Sequence, residues 1–184
     1  MSVKLFFAPL LLAITASSAA AQYIPGLETP TDTADGFEQM IAAACPLAVM
    51  GEKLTGFTED HPEETAIKVL KALPEALAPY VATSHKMRIM HIPTPSDDLY
   101  VVLDKDTKLC TVIAQTDPAP IKSGLIDPIA NSGAWPTIDE PGAGFTHGFI
   151  YNLANVAKLE VRFALPETDK TPVIATVTPV PSVE

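Results

Sequence analysis

Basic residues are scarce. Only 12 lysines and arginines, two of them arginine, stand against 22 acidic residues in 184, for a formal charge of −10. Such a surface repels nucleic-acid phosphates and anionic lipid headgroups, so neither is an expected partner. Charged residues of both signs make up only 18%, against 47% hydrophobic, which excludes an intrinsically disordered chain. With 2 cysteines and 1 tryptophan, the chain is no cysteine-rich scaffold and has no zinc ribbon. No apolar run beyond the N-terminus approaches the roughly 20 residues that span a bilayer. What is abundant is proline, at 18 residues, which argues against a bundle of long helices and for short elements.

The N-terminus reads as an export signal. Met1 to Lys4 form a short basic region, Leu5 to Ile14 an apolar stretch too short to span, and Ala19 and Ala21 supply the small residues that signal peptidase requires. Cleavage after Ala21 is expected, giving a periplasmic or secreted destination with no membrane insertion afterwards; 184 less 21 leaves a chain of 163 residues, the size of one domain. In an oxidising compartment Cys45 and Cys110 are expected to pair. A catalytic thiol would need a partner histidine and an electropositive setting, and neither cysteine has one in its sequence surroundings.

From Asp35 the apolar residues Phe37, Met40, Ile41, Ala44 and Ala48 follow helical spacing, with Cys45 beside the stripe, Pro46 set to kink it and Gly51 to close it. Asp60 and Glu63 stand in a capping-box relation around Pro62, and the spacing of Ala66, Ile67, Leu70 and Leu73 predicts a second helix. Glu75 to Val81 is a turn or short helix with Tyr80 and Val81 turned inward. The period then changes toward two, giving strands at Met87–Ile92, Leu99–Leu103, Leu109–Ala114, Phe149–Leu153, Lys158–Leu165 and Val173–Val177. Asp104 to Thr107 is the tight turn of a hairpin; Asp104 and Asp106 begin like a calcium loop, but its later ligands do not follow. Ile121, Leu125 and Ile129 give a third helix ending near Gly133.

Residues 1–21 are therefore the expected signal, 22–34 a flexible arm, 35–178 one domain and 179–184 a disordered tail. The expected fold is α+β and two-layered: an antiparallel sheet of five or six strands covered by two or three helices, in the order ααβββαβββ. In element order alone this resembles profilin-like and PAS-like folds; no motif is shared, so the resemblance implies nothing about activity. In such a fold Cys45 faces the sheet and Cys110 shares a strand face with Val112 and Ala114, so a disulfide would pin the first helix to the central hairpin.

Motifs for chemistry are missing. There is no G-x-S-x-G, no Ser-x-x-Lys and no P-loop, since Pro141 to Phe145 is glycine-rich but lacks the lysine and the helix that must follow. The four histidines, His61, His85, His91 and His147, include no short ligand pair, and about 20 Å of extended strand separates His85 from His91, so no metal or other cofactor is expected. A ligand rim is expected where Trp135, Phe145 and His147 flank the glycine loop, with Arg88 as a carboxylate clamp. Arg162, also in a strand, carries the same two readings as Arg88, a carboxylate clamp or a partner of a neighbouring Asp or Glu across the sheet. The leading expectation is an exported binding or interaction protein with an unidentified protein or small-molecule partner. The alternatives are an enzyme using His91, His147 and a flanking aspartate, or a structural subunit of an envelope assembly.

Overall fold

The computed structural model describes residues 30–51, 67–82, 84, 86–153, 156–168 and 170–181. The signal, most of the arm, the capping box at 60–63, His61 and His85 lie outside them.

Asp32 opens the first helix, its Oδ1 accepting the Asp35 N–H at 2.8 Å. Thr33–Gln39, Met40–Ala44 and Cys45–Val49 then run on as one rod, α1, and Gly51 follows at φ +86. Its middle section is a π-turn in which the Cys45 N–H donates to the Met40 carbonyl, five residues back. The reason is Pro46. A proline inside an α-helix lacks the N–H for the carbonyl four residues earlier and its ring collides with that carbonyl; one extra residue per turn moves it aside. The released Ala42 carbonyl accepts the Tyr151 hydroxyl at 3.3 Å. The wider turn also advances the buried stripe, so Val49 is buried where regular spacing expects Ala48, which is half-buried. The helix also begins before Asp35: Pro30 and Thr33, within the expected arm, are buried.

A second rod, α2, joins Pro118–Ile121, Lys122–Ile126 and Asp127–Ser132 and follows the same rule. Its π-turn is closed by the Asp127 N–H to the Lys122 carbonyl, immediately before Pro128, and Gly133 ends it at φ +65. Ile121, Leu125 and Ile126 are its buried side.

The strands are β1 (Lys68–Leu70), β2 (Met87–Pro93), β3 (Asp98–Asp104), β4 (Leu109–Ala114), β5 (His147–Leu153), β6 (Ala157–Ala164) and β7 (Val173–Pro179). All neighbours pair antiparallel, in one sheet of order β1-β2-β3-β4-β7-β6-β5. A four-stranded run, β1 to β4, and a three-stranded meander, β5 to β7, thus meet through their last strands, β4 and β7. The α+β character holds, but the sheet has seven strands and not five or six, and the described part of the expected second helix is wrong: Lys68 to Leu70 pair with His91, Met90 and Ile89. Three helically spaced side chains do not outweigh backbone groups on the edge of β2 that need partners.

The helices cover one face. There Phe37, Met40, Ile41, Ile121 and Ile126 meet Met90, Leu99, Val101, Val112, Phe149, Val161, Phe163 and Ala175 in the main core. A purely two-layered description fails on the other face, where Leu77 and Val81 cap Ile89, Val102 and Ile113 in a second, smaller core. The cap runs through a short 3-10 turn, Ala78–Tyr80, and Val81 turns inward as expected while Tyr80 is exposed. This explains β4, whose Cys110 to Ala114 are all buried: a strand covered on both sides carries an unbroken apolar run. From Leu159 to Ala164 in β6 and from Val173 to Thr178 in β7, buried and half-buried residues alternate.

The expected disulfide is present. Cys45 and Cys110 are bonded across the layers with their Cα atoms 5.5 Å apart, and both are fully buried. Among the described residues no helix is long and apolar enough to cross a membrane.

Candidate functional site

The expected rim residues occupy different parts of the sheet. Residues 134–145 form a strap over β5, tied by the Ile138 N–H to the Gly148 carbonyl and the Ile150 N–H to the Pro136 carbonyl, both at 2.8 Å. Gly148 permits this approach, since a Cβ there would lie 3.0 Å from the Pro141 Cβ and 3.1 Å from the Ile138 Cβ. The glycine loop is thus fastened down at its base. Trp135 stacks on Tyr151 with ring centroids 4.5 Å apart, on the helix side of β5.

His147 is also on the helix side, opposite Phe163. Its Nδ1 is 2.9 Å from the Thr146 Oγ1. That hydroxyl gives its one proton to the Phe163 carbonyl, so the imidazole Nδ1–H is the donor of the contact and Nε2 is the acceptor of the neutral ring. Arg88, opposite Leu103, is on the helix side of β2. Four strands separate β2 from β5, roughly 24 Å at the usual strand spacing, so Arg88 does not join the other three.

Two polar clusters share the opposite face of the sheet. In the first, the His91 Nε2 is 2.7 Å from the Asp98 Oδ1, and the His91 ring lies 5.2 Å from that of Tyr100 across the β2–β3 pair. Lys68 stands opposite His91 on its other side. Asp98 accepts from Nε2–H, leaving Nδ1 as the acceptor of the neutral imidazole. Burial, and then the charge of Asp98, hold the Tyr100 hydroxyl above the usual phenol pKa. His91 thus contacts one flanking aspartate, Asp98, while His147 belongs to another strand and the other face.

The second cluster centres on Arg162 of β6. Its guanidinium donates to the Glu160 carboxylate two residues away on the same face, and its Cζ lies 6.0 Å from the centre of the Phe145 ring. Gly142, at φ +96, brings the strap close: a Cβ there would lie 3.5 Å from one guanidinium nitrogen. Thr176 and Gly148 flank Arg162 in register on β7 and β5. Phe145 is thus the one expected rim residue that reaches this face. An arginine alternating with Val161 and Phe163 was visible as outward-facing; that the strap closes around it depends on a register that the sequence does not encode locally.

A third polar cluster is structural. The Asp97 Oδ2 accepts from the Thr33 hydroxyl at 2.9 Å and the Thr116 hydroxyl at 2.6 Å, and both threonines are buried. It joins the start of α1 to the β2–β3 turn and the end of β4. Among the described residues no group of three or more histidine, cysteine, aspartate or glutamate side chains is placed to hold a metal ion.

Fold and clusters together define a disulfide-linked α+β domain with one helix-covered sheet face and one partly capped face. Neither a family model, nor a curated protein, nor a solved structure matches the chain.

Proposed function

We propose that the chain is an exported binding module whose recognition surface is the uncapped part of the second sheet face, on β7, β6 and β5. The carrying observation is the inequality of the two faces of these strands. On the helix side Leu159, Val161, Phe163, Ala175 and Val177 are fully buried; on the other, Ile150, Glu160, Arg162, Ala164, Thr176 and Thr178 are only half-buried and combine charge, hydroxyls and apolar surface. The signal-like N-terminus and the disulfide support export. The test is capture of protein and small-molecule partners from the native envelope, identified by mass spectrometry, with two surface variants. Thr176→Glu on this face should abolish capture, and Ser123→Glu on the outer side of α2 should preserve it; the reverse pattern, or no difference, removes the reading.

The His91–Asp98 contact favours a second reading, an enzyme with His91 as general base and Asp98 orienting it. Turnover by the purified chain of any ester, amide or phosphate-ester probe, lost in His91→Gln while the variant stays folded, would put this reading first.

A further inference from the structure

Resting on that reading, we infer that Arg162 is the principal ligand contact of the second sheet face and that its ligand is a small organic monocarboxylate. The guanidinium is held before any ligand arrives: Glu160 takes one nitrogen, the Phe145 ring has its centre 6.0 Å from Cζ, and the turn at Gly142 approaches another nitrogen without a side chain between. About a third of the side chain, 34%, is nevertheless exposed. Its Nε is buried and has no hydrogen-bond partner, which leaves one donor of the planar fork unsatisfied. A preset, partly open guanidinium loses little rotamer freedom on binding, and its donor spacing matches the two oxygens of a carboxylate.

The surroundings select further. Thr176 lies across from Arg162 as a hydroxyl partner, while Phe145, Ala164 and Ile150 offer apolar contact to the remainder of the ligand. A single negative charge suits a chain of net charge −10 better than the multiple charges of a phosphate ester. Glu160 competes for the same cation, so affinity is modest and removing its charge should raise it. Arg88, on the helix side of β2, has no part in this contact.

The experiment follows the Arg162 Nε–H resonance in 15N-labelled chain during titration with benzoate, with benzamide as the uncharged isostere and sulfate as the inorganic anion. Benzoate should shift the resonance saturably, and benzamide and sulfate should not. Arg162→Lys should weaken benzoate binding about tenfold, because a lysine cannot present a planar fork. Glu160→Gln should tighten it several-fold, and Arg88→Lys should leave it unchanged. Amide spectra and thermal midpoints of each variant establish that it is folded. Equal shifts with sulfate or benzamide, an unmoved Nε–H, or equal binding by Arg162→Lys overturns the assignment. If that happens while Thr176→Glu still abolishes envelope capture, the recognition surface stands without Arg162; if Thr176→Glu changes nothing, the surface itself is wrong.

Discussion

Gly148 shows how one missing side chain positions a whole segment. Its bare Cα lets Pro141 and Ile138 lie on β5, which fastens the strap and brings Gly142 and Phe145 to Arg162. Gly148→Ala should overpack this contact and cost about 1–3 kcal/mol in urea unfolding, with a shift in the emission of Trp135, the only tryptophan. Asp35 tests a different effect. Its carboxylate accepts the Thr31 N–H at 2.7 Å, and this backbone hydrogen bond chiefly lowers its pKa. A depressed folded pKa stabilises the fold above the unfolded value, about 4, and that contribution is lost as pH falls through the folded value. The difference in urea midpoint between wild type and Asp35→Asn should therefore be present at neutral pH and vanish below the folded pKa. For Tyr100 the sign is opposite. A raised folded pKa stabilises below the unfolded phenol value, about 10, and is lost as pH rises through the folded value, so Tyr100→Phe should reduce the alkaline loss of stability measured by urea midpoint.

At the scale of elements, both helices solve the same problem in the same way, with a π-turn ending one residue before Pro46 or Pro128. In α1 the solution moves Val49 into the core in place of Ala48. Val49→Ala should cost about 2 kcal/mol by lost burial and cavity formation, more than any small substitution at Ala48. The disulfide then fixes this helix to β4. The link spans a separation of 65 residues, and replacing both cysteines by alanine should lower stability by at most about 4 kcal/mol, the chain-entropy limit for such a loop. Thiol titration of unreduced, denatured protein should find no free thiol in Cys45 or Cys110.

Across the whole molecule, both ends of the sheet are kept from open-ended pairing. The strap pairs with β5 at Thr137, and β1 is only three residues long with Lys68 in it and Lys71 just after it. The two cores on opposite faces imply that the cap at Leu77 and Val81 contributes to global stability. Leu77→Ala should cost about 2–5 kcal/mol and speed amide exchange at Val102 and Ile113, whereas a cap that merely rests on the sheet would leave both unchanged.

The sequence alone determined what depends on local period and chemistry. Six strands could be placed because alternation in Leu159 to Ala164 or Val173 to Val177 needs no knowledge of neighbours, and Gly133 and Gly51 marked helix ends because few other residues tolerate positive φ there. The disulfide was legible too, since two cysteines allow one intramolecular pairing and both lay on inward faces. Tertiary structure decided the rest. Lys68 to Leu70 became a strand because β2 had an edge to fill, Leu77 and Val81 became a second core because β2, β3 and β4 carry apolar residues on both faces, and Arg88 and His147 separated because strand order put four strands between them. Each of these outcomes depends on a partner distant in sequence, and the pattern along a single segment carries no record of which partner that will be.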